Sequence, residues 1–336
     1  MIAFRGQIRT GRAPGAYGSA YVRGDDCGGM TISDNITVAQ YGKANFTTIQ
    51  AAIDTIPVNN NRWVKIYISA GMYREKVNIP YNKPCIILEG QGRDVTIITY
   101  NGHLETDTSA TFTSSPSNVV AKEITFENSY NMAAILHLHY KKIENYAMPA
   151  LAARVYGDKS AFYNCSFVGY QDTLWDVEGR HYFKNCTIIG AVDFIFGAGQ
   201  SIYEDCLIVA TSAGFITAQG RNSLNDTSGF IFRRGTVFGW EKTFLGRAWG
   251  PYSRVIFYET NLTSAVAPLG WYSWTYAQHE DKFTYAEIDC KGLSANTTHR
   301  AQWMNKTIPV NASQMMSQFS ISAFIDQDGW LGKLPM

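Results

Sequence analysis

Three stretches decide the fold: Phe162-Tyr-Asn-Cys-Ser-Phe167, Tyr182-Phe-Lys-Asn-Cys-Thr-Ile188 and Ile202-Tyr-Glu-Asp-Cys-Leu-Ile208. Each begins with a pair containing an aromatic residue and continues through Asn or Asp to Cys, with an apolar residue two places on. Cys165, Cys186 and Cys206 fall 21 and 20 residues apart. Weaker copies stand upstream at Val120-Ala-Lys-Glu-Ile-Thr-Phe126, and downstream at Ile231-Phe-Arg-Arg-Gly-Thr-Val237 and Val255-Ile-Phe-Tyr-Glu-Thr-Asn-Leu262. Short strands recurring at this period, separated by turns, mark a solenoid whose repeats bury their apolar faces only by stacking. The regular leucines of a leucine-rich repeat are absent. The pattern predicts an all-β, single-domain, right-handed parallel β-helix with equivalent residues stacked one coil above the next. The three cysteines then form an inward column that fills the core in preference to making disulfides. Asn164 and Asn185 lie on the same ladder, which weakens them as glycan acceptors.

Outward from the repeat, Phe46-Thr-Thr-Ile-Gln-Ala-Ala-Ile-Asp-Thr-Ile-Pro57 sets Phe46, Ile49, Ile53 and Ile56 at helical spacing, with Pro57 as the stop. This predicts a short N-terminal helix. Trp63-Val-Lys-Ile-Tyr-Ile68 alternates like a strand, and Cys85-Ile-Ile-Leu88 is an apolar run of strand length. Residues 1–30 lack periodicity and read as a flexible extension, leaving 31–336 as the folded domain. The tail from Ser313 to about Phe319 looks helical and is expected to cap the open end of the solenoid.

Composition narrows the function. The 29 Lys and Arg against 28 Asp and Glu leave no field for non-specific nucleic-acid binding. No stretch approaches the length of a membrane-spanning helix. Nine N-x-Ser/Thr sequons, at Asn35, Asn45, Asn164, Asn185, Asn225, Asn261, Asn296, Asn305 and Asn311, together with six cysteines, point toward an extracellular protein. The opening Met-Ile-Ala-Phe-Arg lacks a signal-peptide core, so a leader is expected to have been removed or cut short. No zinc-spaced cluster is present. His137 and His139 form an H-x-H that puts both on one strand face, without a third ligand nearby.

A solenoid carries its chemistry in a groove along one stacked face, so acidic residues at the repeat period are the ones to examine. Asp172 and Asp193 are 21 residues apart, each seven residues after its ladder cysteine. The register therefore puts one above the other, at the strand spacing of about 4.8 Å. Two carboxyls that close cannot both ionise cheaply and divide into an acid and a base. Asp193 is flanked by Ala191, Val192, Phe194, Ile195 and Phe196 and needs a fixed cation, for which Arg247 in Leu245-Gly-Arg-Ala-Trp-Gly250 is the candidate. The plain alternative makes both aspartates turn residues and Arg247 a surface residue; matched spacing and apolar flanks favour chemistry. No G-x-S-x-G elbow, H-E-x-x-H or P-loop occurs.

Over about residues 36–332 the sequence resembles the plant pectin methylesterases (pectinesterases). The resemblance rests on Ile36-Thr-Val-Ala-Gln with Phe46-Thr-Thr-Ile-Gln, Gly71-Met-Tyr-Arg-Glu75, Gly90-Gln-Gly, Gln171-Asp-Thr-Leu174, Asp193-Phe-Ile-Phe-Gly197, Leu245-Gly-Arg-Ala-Trp249 and Phe324-Ile-Asp-Gln-Asp-Gly-Trp330. It implies a secreted, cell-wall-acting hydrolase of the C6 methyl esters of polygalacturonan, needing no cofactor and no metal. By position it implies Asp193 as nucleophile, Asp172 as general acid and then base, Arg247 as the residue holding Asp193, and Gln171 as an oxyanion donor. Trp249, Trp175 and Phe196 would be stacking platforms for sugar rings, with simple packing the alternative for Trp175 and Phe196. A proteinaceous inhibitor is a further implied partner, nucleic acid and membrane are not, and a monomer is expected. The family often carries an inhibitory pro-region; none of that length precedes Ile36, which predicts competence without processing.

The chain departs from the family in one place that matters. The family's Q-A-V-A-L-R-like stretch reads Pro149-Ala-Leu-Ala-Ala-Arg154 here, so proline replaces an oxyanion glutamine and offers neither side-chain donor nor N–H. A catalytically weak, pectin-binding homologue is therefore the second reading. A lyase or polygalacturonase ranks last, because neither Asn-Thr-Asp nor Gly-His-Gly is present.

Overall fold

The computed structural model describes residues 27–131, 147–304 and 312–336. His137 and His139, and the sequons at Asn305 and Asn311, lie outside them. Two parallel sheets, of ten and fourteen strands, wind up the molecule as the walls of one right-handed β-helix. The repeat sets their register: Phe162 pairs with Phe183, Phe183 with Tyr203, Tyr203 with Phe232 and Phe232 with Phe257. Their rings stack face to face in the interior, with centroids 4.9, 4.6, 4.6 and 4.5 Å apart. Offset stacking of this kind adds to the free energy of burial and tolerates no slip between coils.

The Asn/Asp-Cys pair of each repeat is the corner between the sheets. Asn164, Asn185 and Asp205 adopt left-handed backbone, with φ of 51°, 54° and 53°. Short polar side chains visit that region at least cost, which explains their place in the repeat. Asn164 also donates from Nδ2 to Glu123 Oε1 at 2.7 Å, so its amide is engaged within the ladder. Cys165, Cys186 and Cys206 are buried free thiols, as expected of a core column. Cys186 and Cys206 donate weakly to the carbonyls of Phe162 and Phe183 on the coil before.

The N-terminal helix is Ile49–Thr55, shorter than the apolar spacing suggests. Phe46 is not part of it and instead makes a bridge with Val38. Glu75 of the G-x-Y-x-E motif caps this helix, its two carboxylate oxygens accepting from Ile49 N at 2.8 Å and Gln50 N at 2.9 Å. Tyr73 of the same motif is buried and donates to Ser69 O at 2.9 Å. This motif is architectural. Gly90 has an equally local reason, since a Cβ there would lie 2.2 Å from Glu123 O.

Two expectations at the chain ends are corrected. The extension does not run through residue 30, because Cys27 is buried and bonded to Cys85, fixing Cys27–Met30 to the body. The tail helices Ala312–Gln318 and Ile321–Phe324 form, but they do not close the open end. Met315, Phe319, Phe324, Ile325, Trp330 and Leu334 lie along the outer face of the ten-stranded sheet, against Ile87, Val120, Ile202, Ile231 and Ile256. The outward positions of that sheet are themselves apolar, so both of its faces must be covered. Asp328 ties the tail down through Arg180 at 2.8 Å and Lys159 at 3.0 Å. At the end of the coil Phe283, Ala301 and Met304 complete the interior cluster instead.

Phe183 is the central rung of the aromatic ladder and fully buried. We expect Phe183→Ala to cost about 3–5 kcal/mol, read as a lower denaturant midpoint at unchanged m-value.

Candidate active site

The two periodic aspartates stand where the register requires. Leu174 pairs with Ile195 and Trp175 with Phe196, the same 21-residue offset that separates Asp172 from Asp193, and Asp172 N donates to Val192 O at 3.0 Å. Both residues are in left-handed backbone, with φ of 60° and 48°. For non-glycine residues such strain persists where the surroundings impose it, as active sites do. The long strand Thr187–Gly197 shifts register on either side of Val192, and this irregularity re-aims Asp193 away from the regular pleat. The turn is tight: a Cβ on Gly190 would lie 2.2 Å from Phe194 Cβ.

Both carboxyls are buried, at 3% and 2% exposure, yet they meet different neighbours. Arg247 donates from Nε to Asp193 Oδ1 at 2.7 Å and from its terminal nitrogen to Oδ2, a bidentate fork. Burial pushes the Asp172 carboxyl well above the ordinary carboxylate range, and the charge on Asp193 pushes it further, against the pull of Arg247. Burial raises Asp193 too, while the charge and hydrogen bonds of Arg247 draw it back. The two environments therefore differ: burial and the neighbouring charge favour the protonated form of Asp172, while Arg247 favours the ionised form of Asp193.

Gln171 is half-buried beside Asp172 and bridges to Val192 on the next coil. Among the described residues its side-chain amide meets no hydrogen-bond partner and stays available. Its carbonyl accepts from Ala150 N at 3.2 Å, which sets Pro149 and Ala150 directly over it. No amide side chain occupies position 149.

The three aromatic candidates form one apolar floor with Ala110, Leu151 and Ala218. Trp175 stacks on Phe196 at 5.2 Å, and Phe196 leans on Trp249 at 5.9 Å. Phe196 is only 5% exposed, so it backs the floor and does not present a face, whereas Trp175 and Trp249 remain half-exposed. Sequence reasoning missed two groups here. Arg154 lies over Trp175 at 4.5 Å and donates to Asp107 O at 2.6 Å. The guanidinium of Arg247 lies over the rings of Phe215 and Trp274, at 4.5 and 3.7 Å. Phe215 could have been found from the repeat, since it pairs with Val192 and Phe244; Trp274 lies beyond the regular strands and gave no periodic signal.

A parallel β-helix with two buried carboxyls, one of them clamped by arginine, in an aromatic groove fits a carboxylic ester hydrolase, and the proteins it resembles are of that class. The pectinesterase family model matches residues 35–328. The chain is 48% identical over 308 residues to probable pectinesterase 55 of Arabidopsis thaliana, covering 90% of this chain and 91% of that one. Probable pectinesterase 29 of the same plant is 47% identical over 308 residues, with 90% of each chain covered. Pectin methylesterase from carrot superposes with a TM-score of 0.81 at 32% identity, over 90% of this chain and 96% of that one. The chain belongs to the pectinesterase family, and the reaction class is hydrolysis of pectin methyl esters. Among the described residues no helix is long and apolar enough to cross a membrane.

A carboxyl raised in the folded state favours folding only while protonated. Its cost appears as pH climbs past the unfolded value of about 3.9 and is full above the folded one. Asp172→Asn should therefore raise Tm at about pH 8, and the gain should fade below about pH 4 in thermal melts.

Proposed function

We propose that Asp193 is the nucleophile and Asp172 the proton donor and acceptor in hydrolysis of C6 methyl esters of polygalacturonan. The observation that carries this reading is the asymmetric carboxyl pair: Arg247 bonds to Asp193, while among the described residues Asp172 is buried without a bonded cation of its own. An ionised Asp193 carboxylate attacks the ester carbonyl carbon, and the carbonyl electrons move onto oxygen. Collapse of that tetrahedral adduct expels methoxide, which takes the proton of Asp172 and leaves as methanol. The product is a mixed anhydride on Asp193 beside an ionised Asp172. Asp172 then takes a proton from water as that water attacks the acyl carbon, which returns Asp193 as carboxylate and releases the galacturonate acid. No external oxidant, metal or cofactor is needed to balance either half.

The free amide of Gln171 supports it as the donor to the developing oxyanion, a role worth roughly 10²–10³ in turnover. Trp175 and Trp249 support sugar stacking along the groove. We take the protein to act outside the cell on wall pectin, in keeping with the Cys27–Cys85 disulfide and the exposed sequons. A proteinaceous inhibitor and a monomeric state belong to the same reading.

Pro149 favours the second reading, a pectin-binding homologue of low turnover, because one of two expected amide donors is missing. Methanol release from highly methylated pectin separates the two. We expect release by wild type, none by Asp193→Ala, and a loss of roughly 10²-fold in kcat for Gln171→Ala. Pro149→Gln should raise kcat above wild type. A folded, pectin-retaining wild type that releases no methanol would establish the binding-only role. The pH profile of kcat/KM should be bell-shaped, with an acid limb from Asp193 and an alkaline limb from Asp172, both above the ordinary carboxylate range.

A further inference from the structure

We infer that Trp274, working with Phe215, is a positioning residue that locks the Arg247 guanidinium in the plane from which it grips Asp193. The inference rests on the proposed reading of Asp193 as nucleophile. Arg247 is 9% exposed at its side chain, and two aromatic rings pack against its guanidinium carbon. Its Cζ lies 3.7 Å from the centroid of the Trp274 ring and 4.5 Å from that of Phe215. Two rings this close to the guanidinium carbon restrict the swing of the group, while its Nε and one terminal nitrogen make the two bonds to Asp193. Hydrogen bonds alone would leave the plane free to tilt about the carboxylate.

The backbone supplies an independent observation. Trp274 is in left-handed conformation, with φ of 52°. A bulky aromatic residue there is a genuine outlier, and it sits at the start of a three-residue 3-10 turn, Trp274–Tyr276, after the last short strand of the groove wall. A glycine would relieve that strain. The chain instead holds an indole in this position, against the one cation that contacts the nucleophile. Phe215 is supported differently, as a rung stacked on Phe244 at 5.1 Å and Tyr272 at 5.9 Å. One side of the clasp is built into the ladder, and the other is added by a strained loop.

Among the described residues, the charged and titratable groups facing Arg247 are Asp193, Asp172 and, one coil on, its register partner Tyr272. A looser Arg247 therefore acts first on Asp193. The test uses the full chain with Trp274→Gly, Trp274→Leu, Trp274→Phe and Phe215→Leu, each checked for wild-type circular dichroism. Trp274→Gly and Trp274→Leu should lower kcat by roughly 10- to 30-fold, the scale of a desolvated cation–π contact, with KM within about twofold of wild type. Their acid limb should move to higher pH, because Asp193 loses part of the cation that holds it ionised. Trp274→Phe should restore most of kcat and the wild-type limb, and Phe215→Leu should shift the limb in the same direction. If Trp274→Gly does not fold, Trp274→Leu and Trp274→Phe carry the comparison at nearly constant bulk. An unchanged kcat and acid limb, or a rise in KM alone, overturns the inference and makes Trp274 a packing or sugar-stacking residue. An Asp193→Ala variant that keeps releasing methanol would instead overturn the nucleophile assignment on which the inference rests.

Discussion

Everything in this molecule depends on coils that stack in parallel, in register, at an offset of 20 to 21 residues through the middle of the chain. In a parallel ladder a slip of one residue turns each inward side chain outward. The five rings from Phe162 to Phe257 make that slip costly, because they stack only in one alignment. The same offset that aligns Phe162 with Phe183 aligns Asp172 with Asp193. Core and site are thus one constraint expressed at two places on each coil.

Placing two carboxyls one coil apart in a dry groove creates a problem that a single cation resolves. Arg247 comes from a later coil, where it pairs with Ala218, which in turn pairs with Phe196. Its fork engages Asp193 and leaves Asp172 to carry the cost of burial. Chemical asymmetry therefore arises from an otherwise repetitive scaffold. The outer face of the ten-stranded sheet is covered by the C-terminal segment, and Trp330 donates to Ile325 O at 2.6 Å within it. Left-handed backbone recurs at corners along the whole coil, at Glu123, Asn164, Asn185, Arg234 and Glu259 among others, and in the groove it falls at Asp172, Asp193 and Trp274.

Family membership and local chemistry agree except at Pro149. The fold gives that position no second amide, and the backbone N–H of Ala150 next to it is already committed to Gln171 O. Among the described residues Gln171 is the amide side chain next to Asp172 in the chain, and on the proposed reading it carries the oxyanion role. Phe196, in the groove motif, is buried and packs against both Trp175 and Trp249.

The sequence by itself determined what repeats. The Asn/Asp-Cys corners, the aromatic rungs, the 21-residue offset of Asp172 and Asp193, and the need for a cation at Asp193 are all periodic or local facts, and a stacked solenoid converts period directly into proximity. Helix Ile49–Thr55 was legible for the same reason, although Glu75 as its cap was not, since the two are 25 or 26 residues apart. The tertiary structure alone decided what does not repeat. The tail was readable as helical from its own residues, but its destination depended on which face of a distant sheet was left apolar. Trp274 reached Arg247 through a turn with no counterpart on other coils. Contacts made by irregular segments depend on chain path, and chain path is set by packing that no local window of sequence contains.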